Sequence, residues 1–399
     1  MITEDKPAPM LFEGGDVVLP DRLLRQGAVL VSEGKIRAVG PLDRVAADLP
    51  PGCRRIDGNG SLISPSLWEV HIHGCGGVGM EQMSAEALMR MGNFLATRGV
   101  GAFLPTTVAD PAILAGLGSA LESAASAHGL QGRALGIHVE GPFVSSARKG
   151  GIPGELIREP SIEYLRFLVA TARHRIKVMT FAPELAGASE LFNAIASHGI
   201  LPSIGHSDAR FENLEPYENV TPLGVTHLFN GMSGVSHKEP GLAQWALLNK
   251  TVFTELNCDG THVHDAAVQL ALRTRPWQRM IVISDAFPPA GLEEEATRGQ
   301  TVYGKPVVAN EAGVYYADSG VLVGSRRLVS EGVARMTTHF NVPLAWAVAM
   351  ATLNPARHLG FLDKGALLPG YDADIAIFSR DLRECSFLAW EGRPIWERP

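Results

Sequence analysis

The sequence predicts an α/β protein: a (β/α)8 TIM-like barrel with a small β-sandwich formed by both chain ends. Three observations carry that expectation. Short apolar runs alternate with helix-like stretches through the middle of the chain, the pattern of parallel strands joined by crossover helices. Eight such runs can be counted, which suits a closed barrel better than an open doubly wound sheet. Both chain ends carry β runs and turns of a different pattern.

Residues 10 to 65 read as strands and turns. Ala28–Ser32 and Ile36–Gly40 are β runs split by Glu33-Gly34-Lys35, a hairpin signal. The barrel strands are expected at Val70–His73, Ala102–Thr107, Leu135–Glu140, Lys177–Ala182, Leu201–His206, Gly224–Asn230, Val252–Asp259 and Met280–Asp285. Ser84–Arg98, Ala112–His128 and Ser161–His174 can supply helices between them. Residues 361 to 399 return to β character, with a strand over Ala373–Phe378 after the turn-rich Gly365–Gly370. The simplest topology joins residues 1–65 and 361–399 in one sandwich domain beside a catalytic barrel over residues 66–360.

Composition narrows the class. The 399 residues are 46% hydrophobic and 19% charged, an ordinary globular make-up with room for one large barrel and a small attachment. Lys and Arg number 35 against 42 Asp and Glu, and no basic tract offers a nucleic-acid surface. Cys53, Cys75, Cys258 and Cys385 form no CxxC pair, so reduced thiols in a cytoplasm are expected rather than a disulfide scaffold. Met1–Lys6 shows neither the basic nor the apolar segment of a secretory signal. No run of about 20 apolar residues suggests a membrane span.

Five polar clusters sit at the downstream ends of apolar runs, where a barrel gathers its chemistry. His71 and His73 are two apart, so on a strand both imidazoles share a face and can reach one metal or two adjacent ones. Glu140 follows His138 at the same spacing, before Gly141-Pro142 breaks the strand. No helix start follows Glu140 directly, which favours a ligand over a helix cap; His138, deeper along the strand, is a candidate to orient it. His206 and His227 end two further runs. With Glu140 they make a His2Glu set from three strands with an open fourth position for water. Asp285 closes the last run, either capping the next turn or serving as general base and then acid. Asn230, Gly231, Lys238 and His262 lie on post-strand loops, where they either hold an anionic or sugar substrate or simply form turns and solvated surface.

The ordered motifs HxH, HxEGP, GHS, THLFN, DGxH and SDA resemble those of the amidohydrolase superfamily, and within it the N-acetylglucosamine-6-phosphate deacetylases. His237-Lys238-Glu239-Pro240-Gly241, Ala351–Arg357 and Gly365–Asp374 extend the likeness over nearly the whole chain. The resemblance implies removal of acetyl from the 2-amino group of a phosphorylated aminosugar by a homodimer. It implies Glu140, His206 and His227 as principal metal ligands, Asp285 as acid/base, and His71 and His73 as holders of a second ion. It implies that His262 reaches the neighbouring subunit's substrate phosphate. Zinc leads among the divalent ions such donors suit, with iron and others possible.

The chain departs from the family pattern at substrate positions. Ile152 stands where a histidine is usual, and cannot hydrogen-bond a hydroxyl or polarise a carbonyl. Lys238 replaces arginine, Gly231 replaces alanine, and Arg326-Arg327 adds two cations after Gly324-Ser325. One alternative is opening of a cyclic amide by a two-metal relative with a modified lysine on strand four; here Lys177 stands at the start of that run, far from the active face. Another is a non-catalytic sugar-binding protein, opposed by the intact Glu140, His206, His227 and Asp285.

Overall fold

A computed structural model of the chain describes residues 6–125, 133–293 and 297–398. By compactness the chain divides into two units. Residues up to Trp68, Asn93–Ala102 and residues from Val329 on form one; Glu69–Gly92 and Phe103–Leu328 form the other.

In the first unit both chain ends meet in one eight-stranded sheet. Strand Leu62–Pro65 is the joint. It pairs in parallel with Met10–Val18 and antiparallel with Ile375–Phe378. Strand alternation sends Phe12, Val29, Val31, Ile63, Ile377 and Phe387 into one apolar core. Leu11, Ala28 and Leu30, on the other face, pack with Val45. The expected hairpin pairs Leu23–Ser32 with Lys35–Pro41. Its turn residues Glu33 and Gly34 have φ of 54° and 77°, the left-handed pair that matches strand twist in a two-residue turn.

The eight barrel strands are Leu67–Ile72, Val100–Val108, Ile137–Glu140, Ile176–Phe181, Leu201–Ile204, Gly224–Val225, Phe253–Asn257 and Met280–Ile283, hydrogen-bonded to one another in sequence order. The ring closes just past strand eight. Asp285 donates its N–H to the His71 carbonyl at 3.0 Å, and His73 donates to the Ala286 carbonyl at 2.8 Å. Helices Ala85–Ala96, Pro111–Ala124 and Ile162–Thr171 follow the first three strands as expected. Their starts are legible in sequence: Asp110 accepts from the N–H groups of Ala112 and Ile113 ahead of Pro111, and Ser161 accepts from Tyr164. Residues 126–128 of the expected second helix, and residues 1–5 of the chain start, lie outside the described residues. No described helix is long and apolar enough to cross a membrane, and none of the four cysteines is in a disulfide.

Four expected strands overran by two residues or more at their downstream ends. They stop at Ile204, Val225, Asn257 and Ile283 rather than at His206, Asn230, Asp259 and Asp285. His206, His227, Phe229 and Asp285 take φ of 46°, 28°, 79° and 54°, a region in which a β-ladder cannot continue. The chain also inserts an unexpected four-stranded sheet before Val329, made of Thr301–Val302, Lys305–Asn310, Gly313–Tyr316 and Leu322–Gly324.

Candidate metal centre

Strand ends bring the imidazoles together within the second unit. His71 and His73 sit at the barrel closure, their ring centroids 5.5 Å apart. Glu140 ends strand three. His206 follows strand five behind Gly205, where a Cβ would lie 2.8 Å from Thr226 Cβ, so glycine lets the chain turn. His227 follows strand six, and Asp285 follows strand eight. Three of these residues hold left-handed backbone, at a cost of about 1–3 kcal/mol each that only an over-determined surrounding sustains. All six side chains are buried.

Three atoms converge on one point. Glu140 Oε1 lies 2.9 Å from His227 Nε2 and 3.2 Å from His206 Nε2, and the two nitrogens are 3.1 Å apart. His71 Nε2 stands 3.4 Å from the same oxygen, and His73 Nε2 stands 3.1 Å from Glu140 Oε2. Asp285 faces this set, its Oδ1 3.4 Å from His73 Nε2 and 3.6 Å from His71 Nε2. Its Oδ2 is 3.3 Å from His262 Nε2, and His262 Nδ1 donates to Asp259 Oδ2 at 2.7 Å.

The outer bonds of the rings orient the inner nitrogens. His206 Nδ1 donates to the Arg148 carbonyl at 2.9 Å, and His71 Nδ1 to the Glu255 carboxylate at 3.0 Å. Each bond leaves Nε2 to face the centre, as metal-binding histidines do. Glu255 also accepts the His227 N–H at 3.1 Å. Gly231 makes the His206 bond possible: at φ 52°, a Cβ there would come 2.8 Å from His206 Nδ1 and 3.1 Å from the Arg148 carbonyl.

The charges call for a cation. Burial alone would raise the carboxyl of Glu140, but His71 and the hydrogen bonds from His206 and His227 hold it well below its ordinary value. Burial is likewise outweighed at Asp285 by His71 and by the hydrogen bond from His262, and at Glu255 by His71. Three ionised carboxylates in so dry a place need positive charge among them. His71 answers to this: against its burial, Glu255, Glu140 and Asp285 push it well above the ordinary histidine range. A divalent ion displaces such protons. Two further facts fit one. His71 Nε2 is buried with no hydrogen-bond partner. Bonds of about 2.0–2.2 Å to a tetrahedral ion set ligand atoms roughly 3.3–3.6 Å apart, close to the 2.9–3.2 Å seen among Glu140, His206 and His227. The His/Glu/Asp set is thus suited to a divalent metal.

A cavity of about 250 Å³ opens on the cluster. Of the substrate contacts expected from sequence, Asn230, Gly231 and His262 line it. Lys238 does not; it is exposed on its loop. His138, expected beside Glu140, does not line it either. It is fully buried, donates from Nδ1 to the Val70 carbonyl at 3.3 Å and accepts from the Thr180 hydroxyl at 2.9 Å, so neither ring nitrogen turns to Glu140. Burial and neighbouring His71 lower it to about 4, keeping it neutral. His262 closes on Asp285 of its own chain, and its two carboxylate partners raise it to about 10 against the opposing effect of burial. Arg326 and Arg327 donate to the backbone carbonyls of Leu292 and Asp259.

Sequence reasoning passed over Glu255, Tyr303 and Phe287. Glu255 had a signal, a carboxylate inside the apolar run Val252–Leu256. Tyr303 had none. Its hydroxyl lies 2.9 Å from His73 Nδ1, and Phe287 stacks on the His73 ring at 4.4 Å. Ile152 is buried on the cavity wall, clustered with Val108 and Val144 against Tyr303.

Known proteins share this architecture. Residues 312–392 match the amidohydrolase family model. The N-acetylglucosamine-6-phosphate deacetylase of Vibrio furnissii is 34% identical over 323 residues, 80% of this chain and 79% of that one. The N-acetylgalactosamine-6-phosphate deacetylase of Escherichia coli O157:H7 is 32% identical over 88% of this chain and 90% of its own. The crystal structure of N-acetylglucosamine-6-phosphate deacetylase from Pasteurella multocida superposes with a TM-score of 0.87 at 25% identity, covering 97% of this chain and 99% of that one. The likeness in sequence and the shared fold assign the chain: it belongs to the N-acetylglucosamine-6-phosphate deacetylase family of amidohydrolases.

Proposed function

We propose that this protein is a metal-dependent deacetylase that hydrolyses N-acetylglucosamine-6-phosphate to glucosamine-6-phosphate and acetate. The observation that carries the reading is the convergence of Glu140 Oε1, His206 Nε2 and His227 Nε2 within 2.9–3.2 Å of one another, with Asp285 facing them. These three side chains are the principal metal ligands, and His71 and His73 are positioned for a second ion. Zinc is the proposed ion. The chemistry a divalent ion supplies in such a set is a more acidic water at neutral pH and a polarised acyl oxygen.

The chain's own groups move the protons. Asp285, ionised at neutral pH, accepts a proton from the attacking water through Oδ1 while His262 steadies Oδ2. Attack on the acetyl carbon makes it tetrahedral. Asp285 then returns the proton to the sugar nitrogen, the C–N bond breaks, and acetate leaves. Asn230, on the cavity wall, is the proposed sugar contact, since both ring nitrogens of His262 are taken up by Asp259 and Asp285.

A second substrate reading, N-acetylgalactosamine-6-phosphate, is favoured by the Escherichia coli relative at 32% identity. Acetate release measured across phosphorylated and plain forms of both N-acetylhexosamines decides between them. No release from any of them would sink the hydrolase reading. The proposal extends to a homodimer and to the cytoplasm, whose reducing conditions suit four cysteines that form no disulfide. It also keeps the sandwich at residues 1–65 and 361–399 and the catalytic barrel at 66–360, supported by the pairing of Leu62–Pro65 with strands from both ends.

A further inference from the structure

The hairpin tip that carries Tyr303 is pinned from every side. Tyr303 and Gly304 join Thr301–Val302 to Lys305–Asn310 with φ of 49° and 73°. A bulky residue holds left-handed backbone only where its surroundings impose it. Here the Tyr303 N–H donates to the Glu81 carboxylate. The ring stands edge-on to His73 and Phe287, with centroids 6.5 Å and 6.4 Å away, and packs on the cluster of Val108 and Ile152. All of this fixes one atom, the phenol oxygen, 2.9 Å from His73 Nδ1, on a residue that lines the metal cavity.

A proton inventory shows where its hydrogen goes. His73 Nε2 faces Glu140 Oε2 at 3.1 Å and Asp285 Oδ1 at 3.4 Å. When Nε2 turns its lone pair to a cation, Nδ1 carries the ring hydrogen and donates it to the phenol oxygen. With that donor on one lone pair, the hydroxyl's own hydrogen is left for an acceptor in the cavity. Ile152, beside the ring, offers no polar atom to compete for that acceptor.

We propose that Tyr303 is a catalytic residue: its hydroxyl hydrogen-bonds the carbonyl oxygen of the scissile amide and strengthens that bond as negative charge develops there. The proton stays on the phenol throughout. The bond supplies the donor missing at Ile152. The inference rests on the hydrolase reading above.

Tyr303→Phe in the full-length, metal-loaded protein tests it. Losing one such donor is expected to lower kcat about 10²–10³-fold, with KM within about threefold and metal content by elemental analysis unchanged. The same comparison on a thioacetyl substrate, whose sulfur is a poor acceptor, should show a loss of at most about threefold. A variant as fast as wild type, a loss that follows lost metal, or equal losses on both substrates would overturn the proposal. Wild-type protein inert on every N-acetylhexosamine would instead sink the hydrolase reading.

Discussion

Asp285→Asn isolates the proposed proton-moving group from the rest of the centre. The amide preserves the shape of the side chain, so packing and the closure bond from its N–H to His71 persist. What changes is which atom faces the reaction. His262, raised to about 10, is protonated and directs its Nε2–H at Oδ2 from 3.3 Å. An asparagine must turn its carbonyl oxygen to that donor, because its NH₂ cannot accept. The NH₂ then occupies the Oδ1 position, 3.4 Å from His73 Nε2. No acceptor remains for the proton of the attacking water, and none returns to the leaving nitrogen. Positioned acid–base groups contribute about 10²–10⁴ in rate, or about 3–5 kcal/mol of barrier at about 1.4 kcal/mol per tenfold. Acetate release should therefore fall by that factor while Glu140, His206 and His227 retain the ion, measured by elemental analysis. A variant that keeps its metal and turns over within threefold of wild type would refute the assignment of Asp285.

Other perturbations probe the supports. Glu255→Gln weakens the acceptor shared by His71 Nδ1 and the His227 N–H, and metal affinity should drop about 10–100-fold in a chelator competition. Folding stability should decline in alkali because of His262, whose folded value of about 10 lies above the ordinary 6.5. That contribution is full below pH 6.5 and is lost as pH rises to about 10, with a ceiling of about 5 kcal/mol at about 1.4 kcal/mol per unit. Asp259→Asn, which removes the 2.7 Å partner, should flatten the fall of melting temperature across that window. In the sandwich unit, Lys364 is a buried cation held by Asp372 at 2.8 Å, Asp374 at 3.2 Å and Glu391 at 2.9 Å. Lys364→Met leaves buried Asp374 unpaired and should cost about 3–5 kcal/mol, read from the urea midpoint.

The strained strand ends and the charge balance of the centre belong together. His206, His227 and Asp285 leave the ladder in left-handed backbone, and that departure turns their side chains toward one another. A regular strand would send alternate side chains to opposite faces and keep neighbouring strands' residues about 4.7–4.9 Å apart. Gly205 and Gly231 are the local permissions for this geometry, one beside Thr226 and the other beside the His206–Arg148 bond.

The barrel was legible in the sequence because strand and helix periods repeat locally; each of the eight apolar runs became a strand. The chemistry at the strand ends was legible for a related reason. His71, His73, Glu140, His206, His227 and Asp285 break apolar runs with groups that are costly to bury alone, and each lies where a barrel collects its loops. Position along the chain carries no information about ring orientation, so His138 read as a partner of Glu140 although its nitrogens are committed to Val70 and Thr180. Nor does it show which side chains arrive from an insertion. Tyr303 comes from a hairpin some 230 residues beyond His73, and only tertiary packing brings the two within a hydrogen bond. Local pattern therefore determined the elements and the residue types at the centre, while the pairing of groups remote in sequence, the tautomers and the cavity wall were decided by contacts that exist only once the ring has closed.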